Sequence, residues 1–167
     1  MAKLDLSLTD DELTAYLGTE RTIRLATASP DGRPQVVPLW FVWIDRTVFM
    51  NSTLGNVSIR NLQANPRATG TVDDGGPYEE LRGVVIEGPV EWATDDPRLD
   101  GVKDAWSRKY MDGGPVPYDR WKGRTWFRLL PERLTSWDFR KIAEAKARAK
   151  AAAEAGATAE AGAAADG

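Results

Sequence analysis

Residues 22–51 read TIRLATASPDGRPQVVPLWFVWIDRTVFMN, and this stretch sets the predicted architecture. Polar and apolar side chains alternate in its first six residues, as in a half-buried strand. Ser29 to Pro34 are residue types common in turns. Gln35 to Ile44 are mostly β-branched and aromatic, and a reversal at Asp45-Arg46 leads into a third strand. Three antiparallel strands are therefore predicted to follow one another without a helix between them.

The flanking sequence adds few helices and several more strands. Thr9 followed by Glu12 is typical of a capped helix start before the first strand. On the other side the patterns predict helices over 57–64 and 97–110 and strands over 67–72, 81–90, 124–130 and 134–139. About seven strands joined mainly by short turns favour a mainly β fold with peripheral helices, a closed or nearly closed antiparallel barrel, over a doubly wound sheet.

The length and the tail define the expected domain organisation. A chain of 167 residues fits one domain with one core. Residues 143–167 are mostly Ala, Glu, Lys and Gly, with helix propensity over 141–155 but no wide apolar stripe. We expect a barrel domain over 1–141 and a helical to disordered tail over 142–167, outside the functional core.

Composition excludes several classes of function. The sequence has no cysteine and no histidine, which removes disulfides, thiolate or imidazole metal sites and Ser-His-Asp or Cys-His catalysis. A net charge of -3 argues against a general nucleic-acid binder. No apolar run is long enough to cross a membrane and the first residues form no apolar signal region, so we expect a cytoplasmic protein.

The remaining catalytic options are carboxylates, Lys, Arg, Tyr, hydroxyl groups, or a cofactor that brings its own reactivity. The acidic pairs Asp73-Asp74, Glu79-Glu80 and Asp95-Asp96 lie in predicted loops or near element starts, where solvation or helix capping accounts for them. We therefore assign no catalytic side chain and no metal ligand.

The first candidate segment is Asn51–Leu62, a strand end followed by a polar, glycine-containing loop and a helix start. Free N–H groups at a helix N-terminus and small polar side chains can converge on a phosphate, and Arg60 adds a positive charge. The alternative is that Asn56 only caps the helix, as asparagine commonly does.

The second candidate segment is Gln35–Trp43, in which Pro38 interrupts a good strand. Because proline cannot donate to a strand ladder, it marks a bulge, an edge, or a place where a flat ligand meets the backbone. Trp40 and Trp43 are three residues apart and are expected on opposite faces, so at least one can be exposed or line an interface. A plain aromatic core is the alternative for the seven tryptophans of the chain.

The third candidate segment is Leu134–Lys141, where Trp137 lies close to Arg140 and Lys141. Two cations beside an aromatic ring can bind a phosphate or a carboxylate. Lys141 can equally be the first solvated residue of the tail.

Taken in order, these segments resemble the pyridoxamine 5′-phosphate oxidase-like, FMN-binding split-barrel superfamily, and more closely its flavin/deazaflavin oxidoreductase branch that uses coenzyme F420. The likeness extends over about residues 9 to 141. It is carried by Leu25-Ala26-Thr27 with Pro30–Pro34, Pro38–Phe41, Arg60-Asn61-Leu62 with Asn65-Pro66-Arg67, Tyr78–Val84 and Ser136–Lys141.

The resemblance implies a split antiparallel β-barrel that forms a homodimer with two cofactor sites at the interface. The cofactor ring would lie along Val37–Trp40 and its phosphate near Asn51–Asn61. The residues so implied are Val37, Pro38, Leu39, Trp40, Asn51, Ser52, Thr53, Asn56, Ser58, Arg60, Asn61, Trp137, Arg140 and Lys141. The sequence departs from the family at Asn56 and Ser58, where relatives often carry a cation. Either the phosphate contact passes to Arg60, Arg67, Arg140 or Lys141, or this chain has lost the coenzyme and binds something else.

The leading functional hypothesis is an oxidoreductase in which reduced coenzyme F420, or FMN as the second choice, gives a hydride to a conjugated acceptor such as an enone, a quinone or a tetrapyrrole. The cofactor would perform the chemistry, which suits a chain without histidine. The alternative is a non-catalytic split-barrel protein that binds a flavin, a tetrapyrrole or a similar flat ligand. Neither hypothesis involves nucleic acid or a membrane.

Overall fold

The computed structural model describes residues 4–118, 120–121 and 123–165. These residues form seven strands: β1 (Thr22–Ala28), β2 (Pro34–Ile44), β3 (Thr47–Thr53), β4 (Arg67–Asp74), β5 (Arg82–Trp92), β6 (Arg124–Leu129) and β7 (Arg133–Asp138). They also form four α-helices: α1 (Asp10–Thr19), α2 (Val57–Ala64), α3 (Leu99–Tyr110) and α4 (Arg140–Ala165). A short 3₁₀ turn spans Tyr78–Glu80.

Six strands close an antiparallel barrel. The sheet order is β4-β1-β2-β3-β6-β5-β7, and β4 also pairs with β5, which joins the two ends and leaves β7 as an additional strand outside β5. The mainly β split-barrel prediction is confirmed. Every predicted strand is present, and the differences are shifts of one to two residues at strand ends, as expected where fraying sets the boundary.

Two strands are shared between the halves of the barrel. In β2 the segment 34–40 pairs with β1, whereas 41–44 pairs with β3. Residues 48–53 of β3 pair with β6 on the other side, and no described strand pairs with residues 51–53 on the β2 side. The strands β2 and β3 therefore diverge beyond the Phe41–Met50 pair and open a cleft between them. In the same way β5 leaves β4 and β7 and continues along β6 from Val90.

Alternation along the strands fills the barrel with apolar side chains. Ile23 and Leu25 of β1 and Val84 and Ile86 of β5 are fully buried in this core. The helix α1 covers one end with the buried residues Leu13, Tyr16 and Leu17, and the predicted Thr9–Glu12 capping box at its start is present. A second apolar cluster forms outside the barrel, where α3 packs Val102, Trp106 and Tyr110 against Phe49 and Trp126.

The C-terminal segment contains α4, which is anchored at its first turn. The Lys141 ammonium donates to the Ser7 carbonyl oxygen at 2.6 Å and to the Glu12 carboxylate at 2.7 Å. The separation of a barrel domain at residue 141 from a tail over 142–167 stays a prediction. No helix in the described residues combines the length and the apolar character that a membrane span requires.

Candidate functional site

The cleft between β2 and β3 contains a cavity of about 330 Å³. Its volume is at the lower end of the range for small-molecule sites, about 300–1,000 Å³. The wall is formed by Pro38, Leu39 and Trp40 of β2, Asn51 of β3, Trp106 of α3, Arg124 of β6 and the nearby Trp121. Four residues predicted from the sequence, Pro38, Leu39, Trp40 and Asn51, are thus brought together at one site.

The Tyr110 hydroxyl fixes β2 at the point where the cleft opens. Phe41 N–H donates to this hydroxyl oxygen at 2.8 Å. The hydroxyl lies 2.7 Å from the Phe41 carbonyl oxygen and 2.8 Å from that of Arg21, and it can donate to either. The hydroxyl therefore bridges the backbones of Phe41 and Arg21, one residue beyond the last β1–β2 pair, Thr22 with Trp40.

This arrangement determines which backbone groups of β2 face the cleft. Successive residues of a strand direct their N–H and C=O groups to opposite edges. Since the groups of Phe41 face the β1 side, those of Trp40 and Pro38 face the cleft. Pro38 has no N–H to leave unpaired there, which is why this strand tolerates a proline.

Aromatic rings form the side of the cleft next to α3. Trp40 is 40% exposed and stacks on Tyr110, with ring centroids 4.3 Å apart and an angle of 4° between the planes. Trp106 is buried and lies 4.8 Å from Tyr110 and edge-on to Trp126 at 5.2 Å. Trp43, by contrast, packs against the barrel core. The tryptophans therefore serve both as core and as cleft wall.

Two residues of the cleft carry buried donors without a protein partner. The Arg124 guanidinium donates to Asn51 Oδ1 at 2.7 Å, and because a guanidinium cannot accept, the amide orientation of Asn51 is fixed. Asn51 Nδ2 and Trp106 Nε1 are then buried donors with no hydrogen-bond partner in the described residues. An unsatisfied buried donor costs about 1–3 kcal/mol.

Arg124 is the one cation among the described residues that line the cavity. Its guanidinium lies 4.6 Å from the centre of the Trp121 ring. Within the described part of the chain no carboxylate forms an ion pair with it. Its charge is therefore available to a ligand.

Burial shifts the pKa values of two groups on α3, Tyr110 and Lys109. Burial is the main cause that raises the pKa of Tyr110 to about 12, which keeps the hydroxyl protonated at neutral pH. Burial also lowers the pKa of Lys109 to about 8. The Lys109 ammonium donates to the Leu17 carbonyl oxygen at 2.8 Å and lies 4.0 Å from the centre of the Phe41 ring. Tyr110 therefore contacts the Phe41 backbone as a neutral hydroxyl, and Lys109 contacts Phe41 and α1.

The segment after β3 lies beside the cleft because Thr53 pairs with Arg124 and Leu54 N–H donates to the Gly123 carbonyl oxygen at 2.6 Å. Asn56 occupies the N-cap position of α2 but makes no side-chain cap. Its amide instead donates to Ser52 Oγ at 3.2 Å. The first N–H groups of α2 thus receive no side-chain cap from Asn56.

The remaining predicted residues of α2 divide into an exposed and a buried set. Arg60 is exposed, contacts the Gly55 carbonyl oxygen and has no ion pair in the described residues. Ser58 is buried, and Asn61 is buried with its amide donating to Thr27 Oγ1 at 3.1 Å. Of these three side chains, Arg60 is the one placed to meet a phosphate.

The predicted residues near β7 do not line the cleft of the same chain. Trp137 lies over Gly83, its register partner on β5. Arg140 pairs with the buried Asp138, and Lys141 is held by Ser7 and Glu12. Val37 likewise packs against the barrel core instead of lining the cavity. A further basic candidate, Arg67, pairs with Glu132 at 2.5 Å.

Sequence reasoning did not single out Trp106, Trp121 or Arg124 as site residues. Trp106 lies in the helix predicted over 97–110, and a helical position gives no indication of a cleft. Arg124 reaches Asn51 through the pairing of β6 with β3, a contact between residues 73 positions apart. No local pattern marks such a position. The described residues contain no cluster of three or more acidic groups suited to a metal ion.

Comparisons with known proteins agree with this architecture. The conserved hypothetical protein Rv2991 from Mycobacterium tuberculosis is 27% identical, with a TM-score of 0.75, over 86% of this chain and 92% of that one. An FAD-binding protein (mll6688) from Mesorhizobium loti is 30% identical, with a TM-score of 0.62, over 78% and 93%. An F420 reductase is 27% identical, with a TM-score of 0.57, over 72% and 94%. A comparison with curated proteins gave no match.

The family model described as pyridoxamine 5′-phosphate oxidase matches residues 9–138, from the N-cap of α1 to the end of β7. This match includes every strand of the barrel and the whole wall of the cleft. The chain belongs to the pyridoxamine 5′-phosphate oxidase family.

Proposed function

We propose that this protein is an oxidoreductase that holds a flavin-type ring in the cleft between β2 and β3. Coenzyme F420 is the first candidate and FMN the second. When bound, such a ring supplies hydride transfer to a conjugated organic acceptor, for example an enone, a quinone or a tetrapyrrole. The observation that carries the proposal is the aromatic cleft with its two unpartnered donors. Two relatives whose names mention FAD and F420 support the choice of cofactor class.

The residues of the cleft fit a flat ring that bears hydrogen-bond acceptors along one edge. Asn51 Nδ2 and Trp106 Nε1 would donate to ring carbonyl oxygens or nitrogens. Trp40 would offer a flat exposed surface, and the free edge of β2 at Pro38 would let the ring approach the backbone. The chain would position the ring and exclude water, and it would need no side chain for proton transfer if solvent supplies the proton.

The loop 53–56, the start of α2 and Arg60 would hold the phosphate. We expect Arg60→Gln to weaken FMN binding about tenfold, because a charge-assisted hydrogen bond is lost, and to leave riboflavin binding unchanged, because riboflavin has no phosphate. Flavin fluorescence titrations measure both affinities. Arg67→Gln is the matched control, since Arg67 already pairs with Glu132. An equal loss for both flavins would contradict a phosphate role for Arg60.

We also propose a homodimer with two cofactor sites at its interface. The outer surface of β2 carries Val36, which is 62% exposed, beside the half-exposed Trp40. Exposed apolar residues on a flat sheet face suit contact with a second copy. Trp137, Arg140 and Lys141, which do not line the cleft of their own chain, would then be candidates for contacts with the cofactor of the partner. Light scattering that returned the mass of a single chain at micromolar concentration would reject this assembly.

Two titrations test the cofactor and the reaction. The purified chain is titrated against F420 and against FMN while the emission of each coenzyme is followed. Quenching of F420 alone supports the first candidate, quenching of FMN alone the second, and quenching of neither overturns the proposal. The reduced form of the bound coenzyme is then mixed with quinone, enone and biliverdin acceptors, and its oxidation is recorded.

A non-catalytic protein that binds a flat ligand is the second candidate function. It is favoured by the phosphate segment, where Asn56 and Ser58 are neutral, Ser58 is buried and Arg60 is the one cation of 51–62. Tight coenzyme binding without any oxidation by the three acceptor classes would support this function over the oxidoreductase.

A further inference from the structure

We propose that the cleft selects a planar ring that carries a negatively charged oxygen, and that Arg124 is the residue that recognises this charge. The inference deepens the proposed function, because it rests on the same cleft and names the chemistry of what the cleft accepts. It assigns a ligand-recognition role to a residue outside the predicted site.

Arg124 is held in place without being neutralised. Asn51 Oδ1 accepts from one guanidinium nitrogen at 2.7 Å, and the Trp121 ring lies 4.6 Å from the guanidinium carbon. A guanidinium has five N–H donors, so this contact leaves donors for a ligand. Although Arg124 is exposed, these two contacts favour one orientation of its guanidinium before a ligand binds, which reduces the entropy lost on binding.

Several other arginines of the chain are balanced by carboxylates, although Arg60, like Arg124, has no ion pair in the described residues. Arg128 pairs with Asp96 and Glu91, and Arg98 pairs with Asp96. Arg82 pairs with Asp74 at 3.1 Å. Arg124, whose neighbours Asn51 and Trp121 are both neutral, has no such partner among the described residues and faces a cavity. Its positive charge favours an anion and disfavours a cation at that place.

The other polar side chains of the cavity wall, Asn51 and Trp106, carry no free acceptor that would oppose an anion. Asn51 Nδ2 and Trp106 Nε1 can only donate, and Asn51 Oδ1 is already occupied by Arg124. Asn51 and Trp106 therefore add buried donors and no free side-chain acceptor to the wall. The flat surfaces of Trp40 and Trp121 favour an aromatic or conjugated body. Asp104, the acidic group that acts on the nearby Tyr118, is not part of the cavity wall.

A ring with a negatively charged oxygen can come from two sources. It can be the ring of the bound coenzyme, or it can be an acceptor molecule that carries a carboxylate or an ionised hydroxyl group. Both present the same chemistry to Arg124, and the experiment distinguishes them.

The test compares 2-naphthoate with 2-naphthamide, which have the same ring and nearly the same shape but differ in charge. We expect calorimetric titration of the full chain to show at least about tenfold tighter binding of the naphthoate, as expected for a charge-assisted hydrogen bond. Arg124→Gln should remove this preference, and Arg124→Lys should keep part of it. Arg33→Gln is the control, because Arg33 is an exposed arginine paired with Asp31 in the β1–β2 turn. Thermal unfolding of each variant checks that the fold is intact.

Equal affinities for the two probes, no binding of either, or a preference that survives in Arg124→Gln would each overturn the proposal. Repeating the titration with saturating coenzyme identifies the source: loss of naphthoate binding assigns the charge to the coenzyme ring, and retained binding assigns it to the acceptor. If naphthoate is preferred but neither F420 nor FMN binds, the anion selectivity stands and the proposed function fails. If a coenzyme binds and is oxidised while the two probes bind equally, the proposed function stands and the anion selectivity fails.

Discussion

Replacing Gly88 by alanine is expected to destabilise the protein by about 3 kcal/mol or more. A Cβ at this position would overlap the Leu130 carbonyl oxygen and would also crowd Glu132 N. Both atoms belong to the backbone, and the β6–β7 connection is fixed there because Leu130 N–H donates to the Pro89 carbonyl oxygen at 3.0 Å and Glu132 N–H to that of Glu87 at 2.9 Å. No side-chain movement can therefore relieve the clash.

The position explains why the effect should be large. Gly88 lies where β5 leaves β7 and joins β6, so an added methyl group would disturb closure of the barrel. Denaturant unfolding measures the loss as a lower midpoint. Gly18→Ala is the matched control, because nothing lies within 4 Å of the added Cβ and the position is helical. We expect that control to gain up to about 1 kcal/mol. A Gly88→Ala protein as stable as wild type would refute this account of barrel closure.

The second large effect is expected from Tyr110→Phe, which removes one oxygen atom and should cost about 2–4 kcal/mol. The hydroxyl is the partner of the Phe41 N–H and lies within hydrogen-bond distance of the Phe41 and Arg21 carbonyl oxygens. Phe41 is fully buried, so water cannot replace the hydroxyl at its backbone. Leaving buried donors and acceptors unpaired costs about 1–3 kcal/mol for each group.

Denaturant unfolding of Tyr110→Phe is compared with that of Tyr78→Phe. Tyr78 is 67% exposed and its ring contacts Phe139 at 5.0 Å, so its hydroxyl should contribute almost nothing to stability. Because Tyr110 also fixes β2 beside Trp40, coenzyme affinity should fall in Tyr110→Phe and not in Tyr78→Phe. Equal stability of the two variants would show that the Tyr110 hydroxyl does not stabilise β2 at Phe41.

The strands and helices could be predicted because their signals are local. The Ser29–Pro34 turn and the Asp45-Arg46 reversal identify the hairpins, and the Thr9–Glu12 pair identifies the start of α1. Apolar and polar side chains alternate in β1 because one face of the strand is buried. Such alternation can be read from a single sequence. The barrel then follows from the number of strands and the short connections between them.

The cleft could be predicted only in part because it depends on pairing between distant strands. Pro38 and Trp40 mark β2 as unusual, and the cleft does open along them. Nothing in the sequence shows that β2 changes partner at Phe41 or that Arg124 reaches Asn51. These contacts depend on the register of the strand pairs. A shift of one residue in the register would abolish them without changing any local sequence pattern.

The cations proposed to grip a phosphate illustrate the same limit. Lys141 looks free beside the tail, yet Glu12, 129 residues earlier in the chain, accepts from it. Arg67 is engaged with Glu132 in the same manner. Availability of a charge is a property of its neighbours in space, so Arg60 could be separated from Arg67 and Lys141 only once the fold was known.

The divergence of β2 from β3 also bears on how the protein avoids aggregation. Residues 34–40 of β2 pair with β1 on one side, and no strand of the described residues pairs with their other side. An open strand edge is a template on which a foreign β-strand can add and start an intermolecular sheet. At Pro38 that edge lacks a donor, so an incoming strand would lose a hydrogen bond in the middle of its pairing. Pro38, at which we propose that a ring approaches the backbone, thereby also makes the same edge a poor seed for fibril growth.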